Sequence, residues 1–253
     1  MIGLSTTALG DVAVETWLEE VEGLGFDYIE WVSEWPRFLD GNTTKKLEEL
    51  LQSFGLRLTI HAPFSDLNIA SFNEKIREAS LGVILATLER AAELGAMTVT
   101  MHPGHCSPVS RRYQAEYIRI HRKSLESIAE AAEELGVKVG VENMPRFPIL
   151  DAQTPERLYE LVGGIDIGVT FDVAHLNTTT ADFEGFLRLF GNRTVLLHLH
   201  DNHGERDEHL ALGEGTIPWE ELIPRLPRVP ATLEVISMEA AERSLALLKR
   251  LHW

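Results

Sequence analysis

The stretch from Arg57 to Gly104 decides the fold: RLTIHAPFSDLNIASFNEKIREASLGVILATLERAAELGAMTVTMHPG. It opens with a short β-type run, RLTIHAPF. A long helical pattern follows from Asn73, NEKIREASLGVILATLERAAELG, and a second β-type run, MTVTMHPG, begins at Met97. Strand, helix and strand in this order predict a parallel pair joined by a crossover. Leu94-Gly95 supplies the glycine stop expected just past a helix.

The same unit recurs on both sides. Further strand-like runs are IGLSTTAL from Ile2, YIEWVS from Tyr28, KVGVENM from Lys138, IGVTFDVAH from Ile167, TVLLHLHDN from Thr194 and ATLEVIS from Ala231. Helical patterns separate them, with stops at Leu24-Gly25 and Leu135-Gly136 and a Thr154-Pro155 start. Eight strands alternating with helices predict α/β architecture closed into a (β/α)8 TIM barrel. The loops are short and nothing resembles a linker, so residues 1–253 are expected to form one domain. An open doubly wound sheet would need a glycine-rich turn after the first strand, and Ser5-Thr6-Thr7-Ala8 does not supply it.

The barrel expectation gives the ionisable residues a place, because such barrels carry their chemistry at the C-terminal ends of the strands. His61 ends the third run and His102 the fourth. Glu142 ends the fifth. Asp172 and His175 follow in the sixth, and His198 and His200 in the seventh. Glu234 lies in the eighth. The segment from Leu197, LHLHDNHGERDEHLALGEG, adds His203, Asp207 and His209. Counting His105, eight of the ten histidines fall at this face; His121 and His252 do not. Side chains alternate along a strand. His198 and His200 therefore share one face, while Ile60, Val99 and Met101 suit packing under the helices.

Imidazole and carboxylate together suit zinc, manganese or iron. There are more candidate ligands than one ion can use, which points to two or three ions with bridging carboxylates. Glu142, Asp172, Asp207 and Glu234 carry −4 together. One divalent ion would leave −2, a poor home for phosphate; three would leave +2. The net charge of −16 discourages DNA and anionic membranes at long range without excluding a local cationic site. Cys106 is the single cysteine, in keeping with a cytoplasmic protein. No run of apolar residues is long enough for a membrane span. The six lysines lie away from strand C-termini, which argues against Schiff-base or PLP chemistry.

The motifs HAPF, HPG, VEN, FDVAH, LHLHDN, DEHLALGEG and LEV, running from His61 to Glu234, resemble the xylose-isomerase-like barrel superfamily. That superfamily includes endonuclease IV and sugar epimerases of the tagatose 3-epimerase type. Resemblance to endonuclease IV implies a three-zinc site held by His61, His102, Glu142, Asp172, His175, His198, Asp207, His209 and Glu234, with manganese an alternative. It implies a metal-dependent phosphoester hydrolase, with Glu142 orienting the attacking water. Resemblance to the epimerases implies one metal on Glu142, Asp172, His198 and Glu234. There Glu142 and Glu234 would act as the acid/base pair on a sugar or sugar phosphate, and His175, with an arginine such as Arg146, would fix the substrate. The loops SEWPRFLDGN, NMPRFPILDAQ and LNTTTADF depart from the endonuclease wording, which disfavours duplex DNA as substrate. Trp31, Trp35, Phe38 and Phe64 are rim or stacking candidates, and Arg37 is a candidate phosphate contact.

Overall fold

The computed structural model describes residues 1–253. Its strands are β1 Ile2–Ser5, β2 Tyr28–Val32, β3 Arg57–His61, β4 Val99–Met101, β5 Val139–Glu142, β6 Gly168–Asp172, β7 Thr194–Leu199 and β8 Ala231–Leu233. They pair in parallel and in sequence order, and β8 closes on β1, giving the expected (β/α)8 barrel. Gly25 and Gly136 end their helices in the left-handed region, at φ 84° and 67°. Thr154 caps the helix Pro155–Val162 by accepting from the Arg157 N–H. No helix is long and apolar enough to cross a membrane.

The strands are shorter than the sequence runs. The run from Ile167 leaves the sheet after Asp172 and enters the helix Val173–Asn177. The cause is local: the Asp172 carboxylate accepts from the His175 N–H at 2.6 Å and starts a helical turn. His175 therefore projects from a helix rather than from a strand. The helix Pro108–Arg112, absent from the sequence pattern, begins after Ser107, whose hydroxyl accepts from the Ser110 N–H.

Alternation sorts each strand into two faces. Ile60, Val99, Met101, Val141, Phe171, Leu197 and Leu233 are fully buried in the main apolar cluster shared with the helices. Trp17, Leu18 and Val21 of the helix Val14–Leu24 join them. Each such side chain contributes about 1.5–3 kcal/mol by leaving water. The other face is largely hydroxyl-bearing. The Tyr28 and Thr232 hydroxyls lie 3.0 Å apart, and those of Thr100 and Thr170 lie 2.9 Å apart. Each pair reaches across an intervening strand. Glycine permits it, because a Cβ on Gly3 would lie 2.2 Å from the Tyr28 ring and one on Gly140 2.2 Å from Thr170 Oγ1. The donors of the sequence reading sit two residues further on: His61 after Thr59, His102 after Thr100, Glu142 after Gly140, Asp172 after Thr170 and Glu234 after Thr232.

Candidate metal centre

At the C-terminal mouth of the barrel, Glu142 is the hub. Its Oε2 lies 3.4 Å from His61 Nε2 and 3.1 Å from His102 Nε2, and its Oε1 lies 2.7 Å from His198 Nδ1. His198 Nδ1 is also 3.3 Å from Glu234 Oε2 and 4.0 Å from Asp172 Oδ2. Strand register brings these together, since Asp172 pairs with His198 and His198 with Thr232, two residues before Glu234 in sequence. On the other side, Asp207 Oδ2 lies 3.2 Å from His175 Nε2 and 3.3 Å from His209 Nε2.

Four groups gather donor atoms within 4.8 Å of one another. They are His61, His102 and Glu142; Glu142, Asp172, His198 and Glu234; Asp172, His175 and His200; and His200, Asp207 and His209. All nine residues singled out in the sequence belong to this set, and His200 makes a tenth. Its Nε2 is 3.1 Å from Asp172 Oδ2 and 3.7 Å from Asp207 Oδ1, and its ring stacks on His209 at 4.0 Å. Parity with His198 is the signal that finds it.

The tautomers fit a cation. His61 Nδ1 faces the Ala62 carbonyl at 2.9 Å, His175 Nδ1 the Asn143 carbonyl at 2.9 Å, and His209 Nδ1 the Glu234 carbonyl at 2.6 Å. A carbonyl only accepts, so each Nδ1 donates. In the neutral ring, Nε2 is then a lone pair aimed at a carboxylate oxygen. Two acceptors facing each other require a cation between them, either a proton or a metal. Donors held about 2.0–2.1 Å from a tetrahedral ion stand roughly 3.3 Å apart, which matches the spacings in this cluster. His209 keeps its geometry at φ 52°, a left-handed conformation uncommon for a residue with a Cβ.

The charges reinforce one another. Burial pushes the Glu142 carboxyl up, but His198, His102 and His61 outweigh it and hold the group well below its ordinary range. Glu234 is pushed up to about 7 by burial, with Glu30 and Glu142 adding to the effect. Burial lowers His102 to about 4. Burial opposes the charge of His209, but Asp207 and Glu234 raise it to about 9.

Glu30 on β2 was not foreseen. It is fully buried, and its Oε2 lies 3.0 Å from His198 Nε2. Its only sequence signal is a lone charge, between Ile29 and Trp31, on the inward parity of Tyr28. It raises the carboxylate charge at the site from −4 to −5, so three divalent ions would leave +1 and one would leave −3.

Other candidates fall outside. His203 is exposed and pairs with Glu208. His105 bridges to Leu150 through the backbone, and the buried Cys106 sits beside Gln114. Trp31 is not a rim residue. It lies in the apolar cluster facing the helices and donates from Nε1 to the Arg37 carbonyl. Arg146 donates to the Thr179 carbonyl and does not line the cavity. Arg37 likewise does not line it. Phe64 does, stacked on His102 at 4.5 Å, whereas Trp35 is 80% exposed. Asp201 beside His200 is a structural acid, accepting from Gly213 N–H and Trp219 Nε1 and anchoring the loop that carries Asp207 and His209. The cavity over the cluster measures about 260 Å³, and neither lysine nor arginine lines it.

A closed barrel with this donor set at its C-terminal mouth defines a class. The family described as xylose isomerase-like TIM barrel matches residues 18–251, and the chain belongs to it. It is 36% identical over 232 residues to an uncharacterized protein of Methanocaldococcus jannaschii, covering 90% of this chain and 79% of that one. It is 27% identical over 217 residues to the probable endonuclease 4 of Mycobacterium leprae, covering 81% of each. A solved D-tagatose 3-epimerase-like protein is 33% identical with a TM-score of 0.91, covering 99% of this chain and 96% of that one. The named relatives thus bear the names of two kinds of enzyme.

Proposed function

We propose that the chain is a metal-dependent phosphoester hydrolase whose ligands are His61, His102, Glu142, Asp172, His175, His198, Asp207, His209 and Glu234. The observation that carries this reading is the position of Glu142, whose carboxylate belongs to two donor groups while Asp207 and His209 complete another beyond them. One ion has no use for so many donors. Zinc suits the mixed imidazole and carboxylate set, and manganese is the alternative. Ions bound there supply Lewis-acid polarisation of substrate oxygens. Glu142 orients water toward phosphorus. Phe64, Met144, Pro145 and Leu150 exclude bulk solvent from the cavity wall. No cationic side chain lines the cavity, so a phosphate would depend on the bound ions for charge. With the net charge of −16, this favours a small or single-stranded phosphoester over duplex DNA. A cytoplasmic, reducing location accords with the single cysteine.

A second reading, sugar or sugar-phosphate epimerisation, is favoured by the Glu142 and Glu234 carboxylates flanking His198 Nδ1. A carboxyl raised to about 7, as Glu234 is, can hold and release a proton at neutral pH. Similarity to the epimerase-like protein adds to this reading. Parallel assays separate the two: zinc- or manganese-loaded protein against a phosphodiester, an abasic oligonucleotide and ketohexoses. The hydrolase reading expects phosphoester turnover that is lost in the Asp207→Ala/His209→Ala double variant. Ketose epimerisation undiminished by that double variant would replace it with the second reading.

A further inference from the structure

Glu30 takes no part in the chemistry just described, yet it is a carboxylate sealed beneath the site. Its side chain is fully buried and absent from the cavity lining. Oε2 faces His198 Nε2 at 3.0 Å and Thr59 Oγ1 at 3.5 Å, while Oε1 has no partner. A buried carboxylate is costly unless it is paired, and His198 is the one ionisable partner within hydrogen-bond reach of Glu30.

Comparison among the histidines shows what that is. His61, His175 and His209 each fix their tautomer against a neutral backbone carbonyl. His198 fixes its own against an anion. His198 Nδ1 faces Glu142 at 2.7 Å, with Glu234 and Asp172 beside it, so both ring nitrogens meet carboxylates; with a metal ion on the Nδ1 side, Glu30 holds the remaining ring proton on Nε2. It also increases the basicity of Nδ1 more than a carbonyl does. The group served is the one with four donors rather than three.

We infer that Glu30 is a positioning residue that makes the Glu142–Asp172–His198–Glu234 position the first to fill and the tightest to hold. This rests on the metal-dependent reading above. Glu30 does not touch substrate. It acts through His198, and its loss should loosen one ion selectively.

The test is zinc titration of metal-free wild type and Glu30→Gln, followed by calorimetry and by elemental analysis of the ions retained after gel filtration. Glutamine keeps the shape and an acceptor oxygen and removes the charge. The tightest step should weaken about 10- to 100-fold in Glu30→Gln, with any weaker steps changing less than about 3-fold. An unchanged tightest step in the variant, with wild type binding zinc, overturns the role of Glu30 and leaves the metal-dependent reading standing. Failure of wild type to bind any divalent ion overturns both. Should the variant not fold, imidazole nitrogen NMR of zinc-loaded wild type decides. A protonated Nε2 and a metal-shifted Nδ1 on His198 are expected; the reverse assignment refutes the inference.

Discussion

His121 offers the clearest energetic prediction. It is fully buried in the helix Gln114–Leu135, and its Nε2 accepts from the Gly104 N–H at 2.9 Å. The proton therefore sits on Nδ1, which has no partner. Burial holds this imidazole at about 4, against an ordinary 6.5. In the unfolded chain it takes up a proton below pH 6.5, while in the fold it stays neutral to about pH 4. The folded pKa is the lower one, so the stabilisation is complete above pH 6.5 and is lost as pH falls toward 4. A gap of that size amounts to about 2.5 kcal/mol by pH 4.5. Urea unfolding of metal-free wild type and His121→Gln at pH 7 and pH 4.5 reads it directly. Other titrating groups are common to both proteins and cancel in the difference. Wild type should lose about 2.5 kcal/mol more than the variant between the two pH values. Equal losses would mean that His121 titrates normally and that its bond to the His102-Pro103-Gly104 loop is not made by a neutral ring.

Two further substitutions probe the frame of the site. Gly140→Ala would press a methyl group to 2.2 Å from Thr170 Oγ1 and 3.0 Å from Val195, two residues before Glu142. It should cost about 1–3 kcal/mol in thermal unfolding and weaken zinc binding, whereas a neutral result would show the barrel interior to be loosely packed. Asp151 is buried and receives two bonds from Arg157, at 2.7 and 2.8 Å. Asp151→Asn should cost about 2–3 kcal/mol in denaturant unfolding, by leaving a half-buried guanidinium short of its partner; a cost below about 0.5 kcal/mol would argue against this accounting.

The barrel was legible because period-2 and helical patterns alternate cleanly, as in the stretch from Arg57 to Gly104. Strand ends were not. Asp172 looks like the continuation of a strand until its carboxylate captures the His175 N–H and turns the chain. The nine donors were readable as a constellation because each closes a strand-like run or follows one. Glu30 escaped because a single acid inside YIEWV has no ligand-like neighbour in sequence, and its partner His198 lies 168 residues away. Trp31 was misplaced for the complementary reason: one position from Glu30, it takes the opposite parity and faces the helices. His200 and His203 lie three residues apart in the same histidine-rich segment. Parity with His198 puts the first inside, whereas the second lies beyond the strand face, exposed beside Glu208.

The most direct measurement of the central claim is the metal content of the purified protein by elemental mass spectrometry, alongside Glu142→Ala. Because Glu142 links two donor groups, the multinuclear account predicts two to three divalent ions per wild-type chain and their loss, in large part, from the variant. One ion per chain, above all manganese, would contradict it and turn the assays toward ketoses.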